Sequence, residues 1–288
     1  MKTKHLIATT ILFSLVFSAC GNDRKTVQTT EEPAAEVLGS PISQAEEPAQ
    51  QTVQTKEPKP EKNLEDFDPL DFFKDVVYCG DSCMNFYKWE GNSSAKPKIF
   101  GKLDSSVWLA SNSNAVRYAI HDVSELSRTE KTYVPKHKGE PCNLWDVIPG
   151  LNKNRIVMFF GLNDIVPSGT EEFIENYVTL IEHLKEVVPD AKFYILSITP
   201  MRKDKQVEGK LCTSNINKAN AALVKMCADH GWTYVDVAEK LRDENGHILP
   251  QYSDGTNVHL TKAAYALWDE ALENLAREEL RKEYYEEK

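Results

Sequence analysis

Three short stretches carry side chains that could act together on an acyl group: Gly80-Asp81-Ser82, Gly161-Leu162-Asn163-Asp164, and Asp254-Gly255-Thr256-Asn257-Val258-His259-Leu260-Thr261. A serine hydroxyl attacks an ester carbonyl only if a base removes its proton, and histidine suits that task at neutral pH. The tetrahedral intermediate then carries an oxyanion that fixed N–H donors must meet. Serine, histidine, a side-chain amide and carboxylates are all present in these stretches. Taken singly, each stretch is a weak signal, because tripeptides of this kind recur by chance. Their value depends on whether the chain brings them together. No glycine-rich phosphate loop with lysine is present, so nucleotide-driven chemistry is not expected.

The elements between the stretches bear on that question. Residues 75–80 (DVVYCG) are β-branched and end in glycine, which reads as a buried strand. Residues 107–111 form a weaker strand, 155–161 (RIVMFFG) and 192–198 (KFYILSI) strong ones, and 233–237 (TYVDV) a fifth. Residues 171–187 place Phe173, Ile174, Tyr177, Val178, Ile181 and Leu184 on one helical face. Residues 215–230 do the same with Ala219, Leu223, Met226 and Cys227, and Thr261 is placed to cap a last long helix. Strand–helix alternation of this kind implies an α/β fold, a parallel sheet covered by helices on both faces. In such sheets working residues collect at the carboxyl ends of strands, which is where the first two stretches fall.

The three stretches, in this order, resemble the motifs of the SGNH (GDSL-type) hydrolases, a family of esterases and deacylases. The resemblance covers about residues 71–275. It implies a three-layer α/β/α fold with a five-stranded, mostly parallel, flavodoxin-like sheet. It also implies Ser82 as nucleophile, and His259 as general base and later the acid for the leaving alcohol. The oxyanion donors it implies are the Ser82 backbone N–H, a backbone N–H near Ser111, and the Asn163 side-chain amide. Two positions depart from the family pattern. The second motif usually has glycine, but residues 109–113 are Leu-Ala-Ser-Asn-Ser. The family places aspartate three residues before the histidine, where this chain has Thr256; the nearest acid is Asp254, five before. The Asp254 carboxylate is therefore expected to orient His259, with a backbone carbonyl of the 254–259 loop as the rival acceptor. No metal or cofactor is expected, since N–H donors and a histidine suffice.

Composition narrows the partners. With 34 basic and 44 acidic side chains the net charge is −10, which argues against nucleic acid and against a polybasic grip on lipid headgroups. Residues 1–20 read as a bacterial lipoprotein signal: Lys2 and Lys4, an apolar run from Leu6 to Phe17, then Ser18, Ala19 and Cys20. Cys20 is the expected lipidation site, which would place the protein outside the cytoplasm on a cell membrane, held by that anchor alone. Residues 21–66 lack Phe, Trp and Tyr, and are expected to form a disordered linker to a hydrolase domain at 67–288. The segments able to overhang the site, 91–101 and 199–211, are rich in Lys, Ser, Gly and Asp. The expected substrate is thus a small molecule or glycan carrying a short ester, acetyl above all. A catalytically inactive glycan-binding module and an acyltransferase on the same fold are the alternatives.

Overall fold

A computed structural model of the chain describes residues 59–92, 107–207 and 210–286. The signal segment, Cys20, most of the linker and residues 93–106 lie outside the described residues. Five strands form one parallel sheet: β1 (Val76–Gly80), β2 (Val107–Ala110), β3 (Arg155–Phe159), β4 (Lys192–Leu196) and β5 (Thr233–Val235). Their spatial order is β2-β1-β3-β4-β5. This is the flavodoxin-like order, and it puts β1 and β3 side by side at the point where the winding reverses.

The near-continuous apolar runs in β1, β3 and β4 follow from this placement, because a parallel sheet is buried on both faces. Every residue of β1 is buried. Helices α1 (Pro69–Phe73) and α2 (Ser82–Asn92) pack with the long C-terminal helix α7 (Lys262–Glu286). Helices α3 (Val116–Ala119), α4 (Leu144–Val147) and α6 (Thr213–His230) pack with α5 (Gly169–Val187). Consecutive residues at the carboxyl end of β3 show the two layers. Phe159 packs on Trp268 of α7, with ring centroids 5.1 Å apart, and Phe160 meets Tyr177 of α5 at 5.9 Å. Among the described residues no helix is long and apolar enough to cross a membrane.

The described chain starts before Phe67. Residues 64–66 make a 3-10 turn, Lys62 N donates to Tyr285 Oη at 2.9 Å, and Arg277 donates to the Phe67 carbonyl. Residues 59–66, assigned to the linker from composition, thus run along the end of α7. Composition counts aromatic residues within a segment and misses the aromatic partners, Tyr284 and Tyr285, that lie elsewhere in the chain.

Candidate active site

Ser82 is the first residue of α2, two positions after the last residue of β1. The turn between them is tight because Gly80 leaves no room for a side chain. A Cβ there would lie 2.5 Å from the Phe159 carbonyl oxygen and 2.8 Å from Met84 Cβ. Asp81 holds the same turn: its Oδ1 accepts from Cys83 N at 2.9 Å, and its own N–H donates to Phe159 O at 3.2 Å. Asp81 is fully buried. Burial pushes its carboxyl up to about 8; the Cys83 N–H bond opposes that rise and nearby Asp164 adds to it.

His259 comes from the loop between residues 253 and 260, which an antiparallel bridge from Ser253 to Leu260 closes. Its Nε2 lies 3.0 Å from Ser82 Oγ, across 177 residues of sequence. The Phe86 ring, one turn into α2, meets the imidazole edge-on with centroids 4.8 Å apart. Tyr87 does not line the site: it is buried in the core, and its Oη donates to Asp269 at 2.6 Å.

Asn163 stands just beyond β3, beside the serine turn. Its Nδ2 donates to Asn114 O at 2.9 Å, which spends one of its two amide hydrogens and aligns the other. Asn114, buried at the end of β2, donates from its own Nδ2 to Gly80 O at 3.3 Å and accepts from Ala115 N at 2.9 Å. The Arg117 guanidinium donates to Asn163 O. Asp164 Oδ1 accepts from Arg117 N at 3.2 Å, so this carboxylate holds the start of α3 and not the segment that follows it. Burial pushes Asp164 up to about 6, against its bonds to backbone N–H groups and the charge of Arg117. The ends of β1, β2 and β3 are thereby laced into one unit. Asn114 and Arg117 were not singled out from sequence, because nothing local marks an asparagine whose partners lie 34 and 49 residues away.

Two of the expected contacts are not made. Ser111 N–H donates to Gly80 O at 3.1 Å, extending the β1–β2 ladder, so it cannot also serve an oxyanion. The left-handed turn for which glycine was expected occurs at Ser113, with φ 61°. Among the described residues the N–H groups of Asn112 and Ser113 have no acceptor. Nor, among the described residues, does a hydrogen bond join Asp254 to the imidazole. Asp254 Oδ1 accepts from Thr256 N at 2.8 Å and Thr256 Oγ1 at 2.7 Å, closing an Asx turn. Both donors belong to Thr256, two residues along the chain, and both bind the same carboxylate oxygen. Among the described residues no acceptor is bonded to His259 Nδ1, which excludes the rival backbone carbonyl there as well.

Residues 135–267 match the model of the GDSL-like lipase/acylhydrolase family. That span contains Asn163 and His259 and begins after Ser82, so the place of Ser82 rests on the geometry above. Among solved structures, a GDSL-like lipase from Bacteroides thetaiotaomicron superposes with TM-score 0.54 at 17% identity, covering 75% of this chain and 94% of that one. A protein described as an acylhydrolase from Bacteroides fragilis gives TM-score 0.54 at 18% identity, covering 72% and 88%. At these identities the likeness establishes the fold. No curated protein matches the chain.

Proposed function

Residues 135–267 match the GDSL-like lipase/acylhydrolase family model, and on that premise we propose that the chain is a serine ester hydrolase acting on short acyl groups, acetyl esters of carbohydrates first among them. The observation that carries this reading is the 3.0 Å contact between Ser82 Oγ and His259 Nε2 at the mouth of the sheet. His259 takes the serine proton as Oγ bonds to the acyl carbon. The oxyanion faces the Ser82 N–H at the start of α2, the free hydrogen of Asn163 Nδ2, and the Asn112 or Ser113 N–H in place of Ser111. The positive end of the α2 dipole lies on the same side. His259 then gives its proton to the departing alcohol, and water, deprotonated by the same imidazole, releases the acid.

The preference for short acyl chains is supported by the rim. Half-buried Arg202 and exposed Asp204 form an ion pair at 2.8 Å, and Arg202 N donates to Asn257 O, so this polar segment abuts the histidine loop. A long alkyl chain would find charge where it needs apolar surface. With Cys20 as lipid anchor, the enzyme would work outside the cytoplasm at a cell membrane.

The test is hydrolysis of p-nitrophenyl acetate, a C12 homologue and acetylated sugars, alongside labelling by a serine-reactive phosphonate. Wild-type protein should label and favour acetyl. Ser82→Ala should do neither, with a loss approaching about 10⁶-fold in kcat and little change in melting temperature. Full turnover by Ser82→Ala, or faster cleavage of the C12 ester, overturns the reading. An unlabelled wild type would favour the binding module, and acetyl transfer to added sugar in preference to water the acyltransferase. Recovery of the protein in the soluble secreted fraction alone overturns the anchor.

A further inference from the structure

An imidazole acting as base must present Nε2 to the serine throughout turnover, and in a catalytic triad a carboxylate on Nδ1 enforces this. Here the side chain placed to do so by sequence is occupied elsewhere, and the loop shows a different device. Thr256 Oγ1 donates to Asp254 Oδ1 at 2.7 Å and accepts from His259 N at 3.1 Å. Asp254 N in turn donates to His259 O at 3.2 Å. Both backbone groups of His259 are therefore tied to the Asp254–Thr256 turn. Outside the turn, Arg202 N holds Asn257 O at 3.1 Å and Cys83 Sγ approaches Val258 O at 3.9 Å. Phe86 bounds the ring itself.

We infer that Thr256 is a positioning residue for His259: with Asp254 as its clamp, it sets the histidine backbone so that a Ser82–His259 dyad works without a carboxylate on the imidazole. The inference rests on the ester-hydrolase reading above. It separates two properties of Asp254 that a triad joins. A triad needs the charge of residue 254; the clamp needs only an acceptor oxygen, which asparagine also has.

The experiment measures kcat and KM for p-nitrophenyl acetate with wild type, Ser82→Ala, Thr256→Val, Thr256→Ser and Asp254→Asn, each checked by circular dichroism. Thr256→Val keeps the shape and loses the hydroxyl. It should lower kcat by about 10- to 100-fold, the scale of a small displacement of a catalytic group, with KM within about twofold. Thr256→Ser restores the hydroxyl and should stay within about threefold of wild type. Asp254→Asn should keep more than about a tenth of wild-type kcat/KM, where loss of a triad carboxylate costs about 10⁴-fold. Wild-type turnover by Thr256→Val, or a loss above about 1,000-fold in Asp254→Asn, overturns the positioning role and leaves the ester-hydrolase reading standing. An inert wild type, or full activity of Ser82→Ala, overturns that reading, and the positioning role falls with it.

Discussion

Ser82 stands where a fully buried strand turns into a helix, whereas His259 stands on a loop whose residues 254–257 are exposed. The serine side is held by bonds across long stretches of sequence: Asn114 to Gly80, Asn163 to Asn114, Tyr265 Oη to the Cys83 carbonyl at 2.9 Å. The histidine side is held mostly by bonds spanning two to five residues. The first arrangement derives its rigidity from the packed core, so a change there is felt by the whole domain. The second derives it from local turn chemistry, so it can be altered with little effect on folding.

Three perturbations probe that contrast. The largest effect is expected from Asn163→Ala, which removes an oxyanion donor and unlaces β3 from β2. Turnover should fall about 100- to 1000-fold, read as kcat on an acetyl ester. A loss of less than about tenfold would show that the backbone N–H groups suffice.

A methyl group added at one glycine on each side separates the two modes of support. At Gly80 the new Cβ meets the Phe159 backbone oxygen, and the overpacking should cost about 3 kcal/mol, read as a lowered urea midpoint. At Gly255 nothing lies within 4 Å, and only the positive φ of 98° opposes the change, at about 1–2 kcal/mol. Equal destabilisation by the two would erase the distinction between core and loop.

The last perturbation concerns pH. In the folded chain Asp81 holds its proton up to about 8, whereas in an unfolded chain it ionises near the ordinary carboxylate value of 3.8. Between those values the folded state binds the extra proton, so stability declines as pH rises from about 4 to about 8. Asp81→Asn keeps the acceptor for Cys83 N and removes the titration. The melting temperature of wild type should fall further than that of Asp81→Asn between pH 5 and pH 8. Parallel curves would mean that the serine turn tolerates the charge.

Element positions and the order of the motifs along the chain are properties of sequence alone here. Residues 75–80, 155–161 and 192–198 read as strands because a run buried on both faces must be apolar throughout, and the helix over 169–187 shows its 3.6-residue stripe. Such periodicities are set by neighbours a few residues apart, so they survive being read in one dimension. The strand-end rule placed only Ser82 and Asn163, which follow the adjacent strands β1 and β3; the pairing of Ser82 with His259 was what the resemblance of the three motifs to the SGNH hydrolases implied. Tertiary structure alone decided which atoms met there. Ser111 N–H was taken by Gly80, Asp254 by Thr256, and Asn114 became the link between three strand ends. A hydrogen bond forms with whichever donor lies within about 3 Å after the backbone has been placed. That competition is settled by loop conformation, which no residue type or spacing encodes by itself.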